Sequence, residues 1–159
     1  MLTTLPAEWH PQRAVMLTWP RADGDFSNIF PEVEACFIAI ASAIAAHTPL
    51  LITTAGDAAA LESVLLRAEI PRQRFQILKA PTDDVWARDH GPITVSRDAQ
   101  AVHLDFGFNG WGGKFPAEND NRITAALYAA GLLPGRLETV DFIIEGGAIE
   151  SDGEGSLLT

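Results

Sequence analysis

A single cysteine, Cys36, leaves no partner for an intramolecular disulfide, so the disulfide-stapled secreted scaffolds are excluded and a cytosolic (cytoplasmic) setting is the default expectation. Basic residues are also scarce: 11 Lys and Arg stand against 21 Asp and Glu, a formal net charge of -10. Phosphate binding needs clustered Lys and Arg, so this balance argues against a nucleic-acid partner. An acidic protein draws cations, and a small positively charged molecule fits better. Acidity also serves solubility alone, and charge by itself favours that plainer account. The four histidines, His10, His47, His90 and His103, have no ligand spacing, which argues against a metal site. No basic region followed by a long apolar run opens the chain, so no signal peptide is expected. The most apolar run, Phe37 to Ala46, is too short for a membrane span, and no membrane association is expected.

What is present is globular: 159 residues, 47% hydrophobic and 20% charged, one domain by length and enough to bury a core. Ala14 to Trp19 reads as a buried strand closed by Pro20. Val33, Phe37, Ile40, Ala41 and Ile44 recur at helical spacing over Pro31 to His47, which places Cys36 on a buried helix face. Leu50 to Thr54 is a strand. Asp57 caps a second helix, marked by Leu61, Val64, Leu65 and Ala68. Phe75 to Leu78 is a third strand. Ile93 to Val95 and Ala101 to Phe106 form a hairpin, Asp120 to Ala130 a helix with Gly131 just past its end, and Leu137 to Ile144 a strand. This alternation is that of an α/β protein.

Two stretches carry the chemistry. Asp83-Asp84-Val85-Trp86-Ala87-Arg88-Asp89-His90-Gly91-Pro92 packs three acids, an indole, a guanidinium and an imidazole into a loop that enters the Ile93 strand. Its plain reading is a solvated acidic loop with one Arg–Asp pair. Trp86 weighs against that, because an indole between acids more often packs than sits in water. The second stretch is Glu145-Gly146-Gly147. Asp89 is followed by Gly91 and Ile93, and Glu145 by Gly147 and Ile149, each acid after a strand and before a hairpin. Such self-similarity suggests repeated supersecondary units that bring the two acids to equivalent positions in one cleft; chance explains a match this short equally well. Two carboxylates and an indole suit a guanidinium, which is planar, permanently charged and forked to match carboxylate oxygens. Its face stacks on tryptophan, here Trp86 or Trp111. Glycoside hydrolysis is the competing use of paired carboxylates.

These stretches resemble the agmatine deiminases and bacterial-type peptidyl-arginine deiminases, among the guanidino-group-modifying enzymes. The resemblance runs along the whole chain. It rests on Pro6-Ala7-Glu8-Trp9, Leu17-Thr18-Trp19-Pro20, Asp84 through Pro92, Phe108-Asn109-Gly110-Trp111-Gly112-Gly113-Lys114-Phe115, and Glu145 through Gly155. It implies a five-bladed α/β propeller of ββαβ modules (the pentein type). It also implies hydrolysis of a guanidinium to a ureido group and ammonia, with no metal or organic cofactor. Asp89 would bind the guanidinium, Glu145 would assist proton transfer, and Trp86, Arg88 and Trp111 would line the substrate site. The substrate would be a small guanidino cation, agmatine or arginine in a peptide. Agmatine is preferred, because a small free cation suits an enclosed pocket.

The chain departs from the family pattern in one respect. The family's nucleophilic cysteine lies in a late Gly-rich segment and its general-base histidine in a later Gly-His-x-Asp-like motif. Neither motif is present here. The expectation is therefore the N-terminal half of a deiminase, a single domain over 1–159 of about two and a half modules, inactive alone. The alternative is a truncated, non-catalytic homologue that binds a cationic ligand or a partner. A propeller cut near its middle would leave open surfaces around Ala14–Trp19 and at Gly155–Thr159. Self-association or docking with a separate C-terminal half is the expected result.

Overall fold

The computed structural model describes residues 3–159. In chain order the elements are β1 (Thr3–Thr4), β2 (Val15–Thr18), α1 (Phe30–Ala45), β3 (Leu50–Thr54), α2 (Ala58–Arg67), β4 (Phe75–Lys79), the single turn α3 (Ala87–His90), β5 (Ile93–Arg97), β6 (Gln100–Gly107), the single turn α4 (Gly110–Gly113), α5 (Ile123–Ala129), β7 (Arg136–Ile143), β8 (Glu150–Ser151) and β9 (Leu157–Leu158). The fold is mixed α/β, as the alternation of patterns predicts. It divides into two compact units. One is Gln12–Ala87; the other is Arg88–Thr159 with the N-terminal residues up to Pro11.

In the Gln12–Ala87 unit the strands form a parallel sheet in the order β2-β3-β4, and α1 and α2 are the crossovers. β3 lies in the middle with all five residues buried, which is why Leu50-Leu51-Ile52-Thr53-Thr54 lacks polar alternation. Leu50 and Ile52 join Trp19, Ala41, Ala45, Leu61, Leu65, Ile70 and Phe75 in one core. The Asp57 carboxylate caps α2 as expected, with Oδ1 accepting from the amides of Ala59 at 2.8 Å and Ala60 at 3.4 Å.

Two expectations fail on α1. Its inner face is Phe37, Ile38, Ala41, Ile44 and Ala45, whereas Ile40 is 40% exposed and Cys36 is exposed. A helix turns about 100° per residue, so Cys36, one position before Phe37, falls on the outer flank. Apolar spacing alone could not tell which of two apolar flanks would pack. The second correction concerns length. The helical stretch Ser27–Ala45 spans 19 residues with a mean hydropathy of 1.5, enough by length and composition to cross a membrane. An unbroken-run count misses it because Glu32 and Glu34 interrupt its start. Core helices pass the same test, and the inner face of α1 is packed on the β3 sheet.

In the other unit the sheet order is β1-β5-β6-β7. β5 and β6 form an antiparallel hairpin whose two turn residues, Asp98 and Ala99, have φ of 50° and 64°. That is the left-handed pair which a two-residue hairpin demands. β7 then runs parallel to β6, with α5 as crossover. The order from Ile93 to Ile143 is thus ββαβ. The acidic stretch ends in the helical turn α3, where an open loop was expected, and then enters β5. β8 and β9 pair as the short hairpin that follows Glu145.

Candidate active site

The strand-turn-hairpin context noted around Asp89 recurs around Glu145. Asp89 sits in α3 just before β5, and Glu145 follows β7 and opens the 3₁₀ turn Gly146–Ala148 before β8. The structure brings these two segments together. Asp89 Oδ1 accepts the Gly147 amide at 3.0 Å. The approach is so close that a Cβ on either glycine would displace its neighbour. A Cβ on Gly146 would overlap the Arg88 carbonyl oxygen, and one on Gly147 would overlap Asp89 Oδ1. The Gly-Gly pair is therefore explained by contact and not by a left-handed backbone, since neither residue has a positive φ.

Arg88, expected at the substrate site, makes two contacts within the protein. Its Nη2 donates to Glu8 Oε1 at 2.6 Å and to the Ile149 carbonyl at 3.1 Å. Sequence reasoning gave Glu8 no role, although it lies in one of the motifs that carry the family resemblance. Trp111 is packed edge-on against Phe108, with centroids 5.0 Å apart, and against Phe115, 5.7 Å apart. Its φ of 56° lies within a left-handed turn shared with Gly110, Gly112 and Gly113, and the Asn109 carboxamide oxygen accepts the Gly112 amide at 2.8 Å. Asn121, also unforeseen, holds this loop through both the amide and the carbonyl of Phe108, at 2.8 and 2.7 Å. Trp86 belongs to the Gln12–Ala87 unit and is 55% exposed, against the expectation that it packs.

Next to Asp89, His90 is buried and lies 6.2 Å from the Phe108 ring. Desolvation pulls its pKa from 6.5 down to about 4, opposed by a backbone hydrogen bond and by the charge of Asp89. It is a neutral core imidazole at pH 7. His103 is likewise a structural residue, between the Thr94 hydroxyl at 2.9 Å and the Pro134 carbonyl at 3.0 Å. Burial holds the Asp105 carboxyl above its usual range, partly offset by the Thr124 hydroxyl. Among the described residues no group of three or more His, Cys, Asp or Glu is placed to hold a metal ion.

Residues 4–159 match the Porphyromonas-type peptidyl-arginine deiminase family. The chain belongs to that family. Agmatine deiminase of Pseudomonas aeruginosa is 34% identical over 98% of this chain, which corresponds to 42% of that relative. A crystal structure carrying the provisional name peptidyl-arginine deiminase superposes with a TM-score of 0.89 at 35% identity, over 98% of this chain and 46% of its own. Substrate-bound agmatine deiminase of C. jejuni gives a TM-score of 0.86 at 27% identity, over 98% and 45%. The chain thus spans less than half the length of the relatives it matches. In these family members, as in this chain, helices and sheets are mixed.

Proposed function

We propose that the protein carrying these residues hydrolyses a guanidinium group, converting agmatine and water to N-carbamoylputrescine and ammonia. The corresponding reaction on peptidyl-arginine would give citrulline. The observation that carries this reading is the Asp89 carboxylate fixed on the Glu145–Gly147 turn, because it supports two acids facing one planar cation. In this reading Asp89 binds the guanidinium and Glu145 assists proton transfer. The indole of Trp86 is exposed, and an exposed indole is a face on which a guanidinium can stack. Agmatine is favoured over a peptide as a small free cation for an enclosed site. The relatives named agmatine deiminase support the same choice. The ββαβ unit supports a closed propeller of five such modules, with about two and a half of them in this chain. The single cysteine favours the cytoplasm as its place of work.

Covalent guanidine hydrolysis needs a thiolate with a base in hydrogen-bond reach. The one cysteine here, Cys36, stands on the outer flank of α1, within the Gln12–Ala87 unit. That observation favours, for these 159 residues alone, the second reading of a module that binds a cation without turning it over. The test is ureido-product formation from agmatine. The whole protein should form it, and Asp89→Asn, which removes the charge that holds the guanidinium, should lower the rate about 100-fold or more. The 159 residues should form none above a Cys36→Ala control. Product formation that survives Asp89→Asn would overturn the assignment.

We also propose that this chain self-associates when produced alone. β7 is the edge of its sheet, and Phe142 and Ile143 at its end are 64% and 56% exposed. Leu157 and Leu158 are 55% and 69% exposed. At β2 the expected open surface is smaller, since Thr18 and Trp19 are buried. Unpaired edges with apolar side chains drive association. Sedimentation should be concentration-dependent, and Phe142→Lys should shift it toward monomer. In the cell the same surface would receive a separate C-terminal half, detected by co-purification. A clean monomer at high concentration would rule out the self-association.

A further inference from the structure

We propose that Arg88 and Glu8 are positioning residues, forming a clamp that sets the Glu145–Ile149 turn against the Asp89 carboxylate. The inference rests on reading Asp89 and Glu145 as the guanidinium-facing acids. The Glu145–Ile149 segment is one tight turn, closed by the Ala148 amide on the Glu145 carbonyl at 2.9 Å and the Ile149 amide on the Gly146 carbonyl at 3.4 Å. Two consecutive residues of α3 grip it at two points. Asp89 takes the Gly147 amide at 3.0 Å near its start, and Arg88 Nη2 donates to the Ile149 carbonyl at 3.1 Å at its end. The overlap that a Gly146 Cβ would make with the Arg88 carbonyl shows how closely the two segments are pressed together.

Glu8 decides where the guanidinium points. The same Nη2 that reaches Ile149 donates to Glu8 Oε1 at 2.6 Å, so one nitrogen ties the N-terminal lead-in to the turn. Both side chains are more than half exposed, at 56% and 57%, and an exposed pair of this kind adds little to stability. Its contribution is orientation. The lead-in has a second anchor, because the Ser151 hydroxyl donates to the Leu5 carbonyl at 3.0 Å. Variants of the clamp therefore leave the lead-in attached and the unit folded. Lysine is a poor substitute for Arg88, since both bonds come from the one nitrogen Nη2, whose two N–H donors the planar guanidinium holds in fixed directions, whereas an ammonium is a point charge that rotates on a flexible stem.

The experiment is amide hydrogen exchange by NMR on this chain, with agmatine titration as a second arm. Arg88→Lys should speed exchange at the Gly147 amide about tenfold, the effect of weakening one hydrogen bond. Amides of the β5–β6 ladder should exchange as before. Glu8→Gln, which keeps an acceptor but loses the charge, should act in the same direction and less. Exchange at Gly147 that is unchanged in both variants would overturn the clamp. Acceleration spread evenly over the unit would also overturn it, because a merely structural role predicts that result. In the wild-type chain agmatine should shift the Gly147 resonance. Absence of that shift counts against the carboxylate reading, and the exchange arm still decides the clamp.

Discussion

Replacing Gly146 by alanine should cost about 2–3 kcal/mol, the range for forcing a methyl group into a filled site. Gly146 is buried, and its Cβ would meet the Arg88 carbonyl oxygen, a backbone atom that cannot rotate away. The turn has to lift, and the Asp89 bond to the Gly147 amide goes with it. Alanine at Gly147 would meet Asp89 Oδ1, a side-chain atom that can swing aside. It should therefore cost less stability while displacing the carboxylate as much. Gly112 supplies the control. It has a φ of 79° and nothing within 4 Å of a Cβ, so Gly112→Ala pays only for its left-handed backbone, about 1 kcal/mol. Urea midpoints of the three variants rank these effects. If Gly146→Ala proved no worse than Gly112→Ala, the close approach of the Glu145 turn to α3 would be wrong.

The elements were largely legible because their signals are local. The capping carboxylate of Asp57, the buried run at Leu50–Thr54 and the hairpin around Asp98 each follow from a few adjacent residues. The acid-x-Gly repeat was legible as a pattern, and its contact is one that pattern cannot give. That Gly147 meets Asp89, and that Arg88 turns to Glu8, depends on chain segments 58 and 80 residues apart in sequence. Composition misled on α1. With apolar residues on two flanks, periodicity allowed either to face the sheet, and the packing of Phe37 on Trp19 at 5.7 Å marks the one that does. Trp111 shows the converse. The motif marks it and its glycine neighbours in sequence, but the left-handed turn that seats the indole between Phe108 and Phe115 is seen only in the structure.

Acid should destabilise the fold through His90 well before most carboxylates titrate. Its pKa is about 4 in the folded state against an ordinary 6.5, because burial disfavours the imidazolium. Between those values the unfolded chain binds more protons than the folded one. The stability that His90 confers as a neutral ring is thus complete above pH 6.5 and is lost as the pH falls toward 4. Its full size is about 3 kcal/mol. Asp105 works the other way: its raised pKa favours folding when it is protonated, so its share falls as pH rises. Asp152, held at about 2 by hydrogen bonds from Ser156 and Glu154, loses its contribution only below the His90 window. Urea midpoints should therefore drop between pH 6.5 and 4 in the wild type, and His90→Gln, which removes the titrating ring, should flatten that drop. Because His90 adjoins Asp89 and stays neutral in the folded protein until about pH 4, it adds no charge beside the carboxylate that we assign to the guanidinium while stability falls, and it should weaken agmatine binding only as the pH approaches 4. A stability profile that stays level from pH 6.5 to 4.5 would mean that His90 reaches water in the folded state.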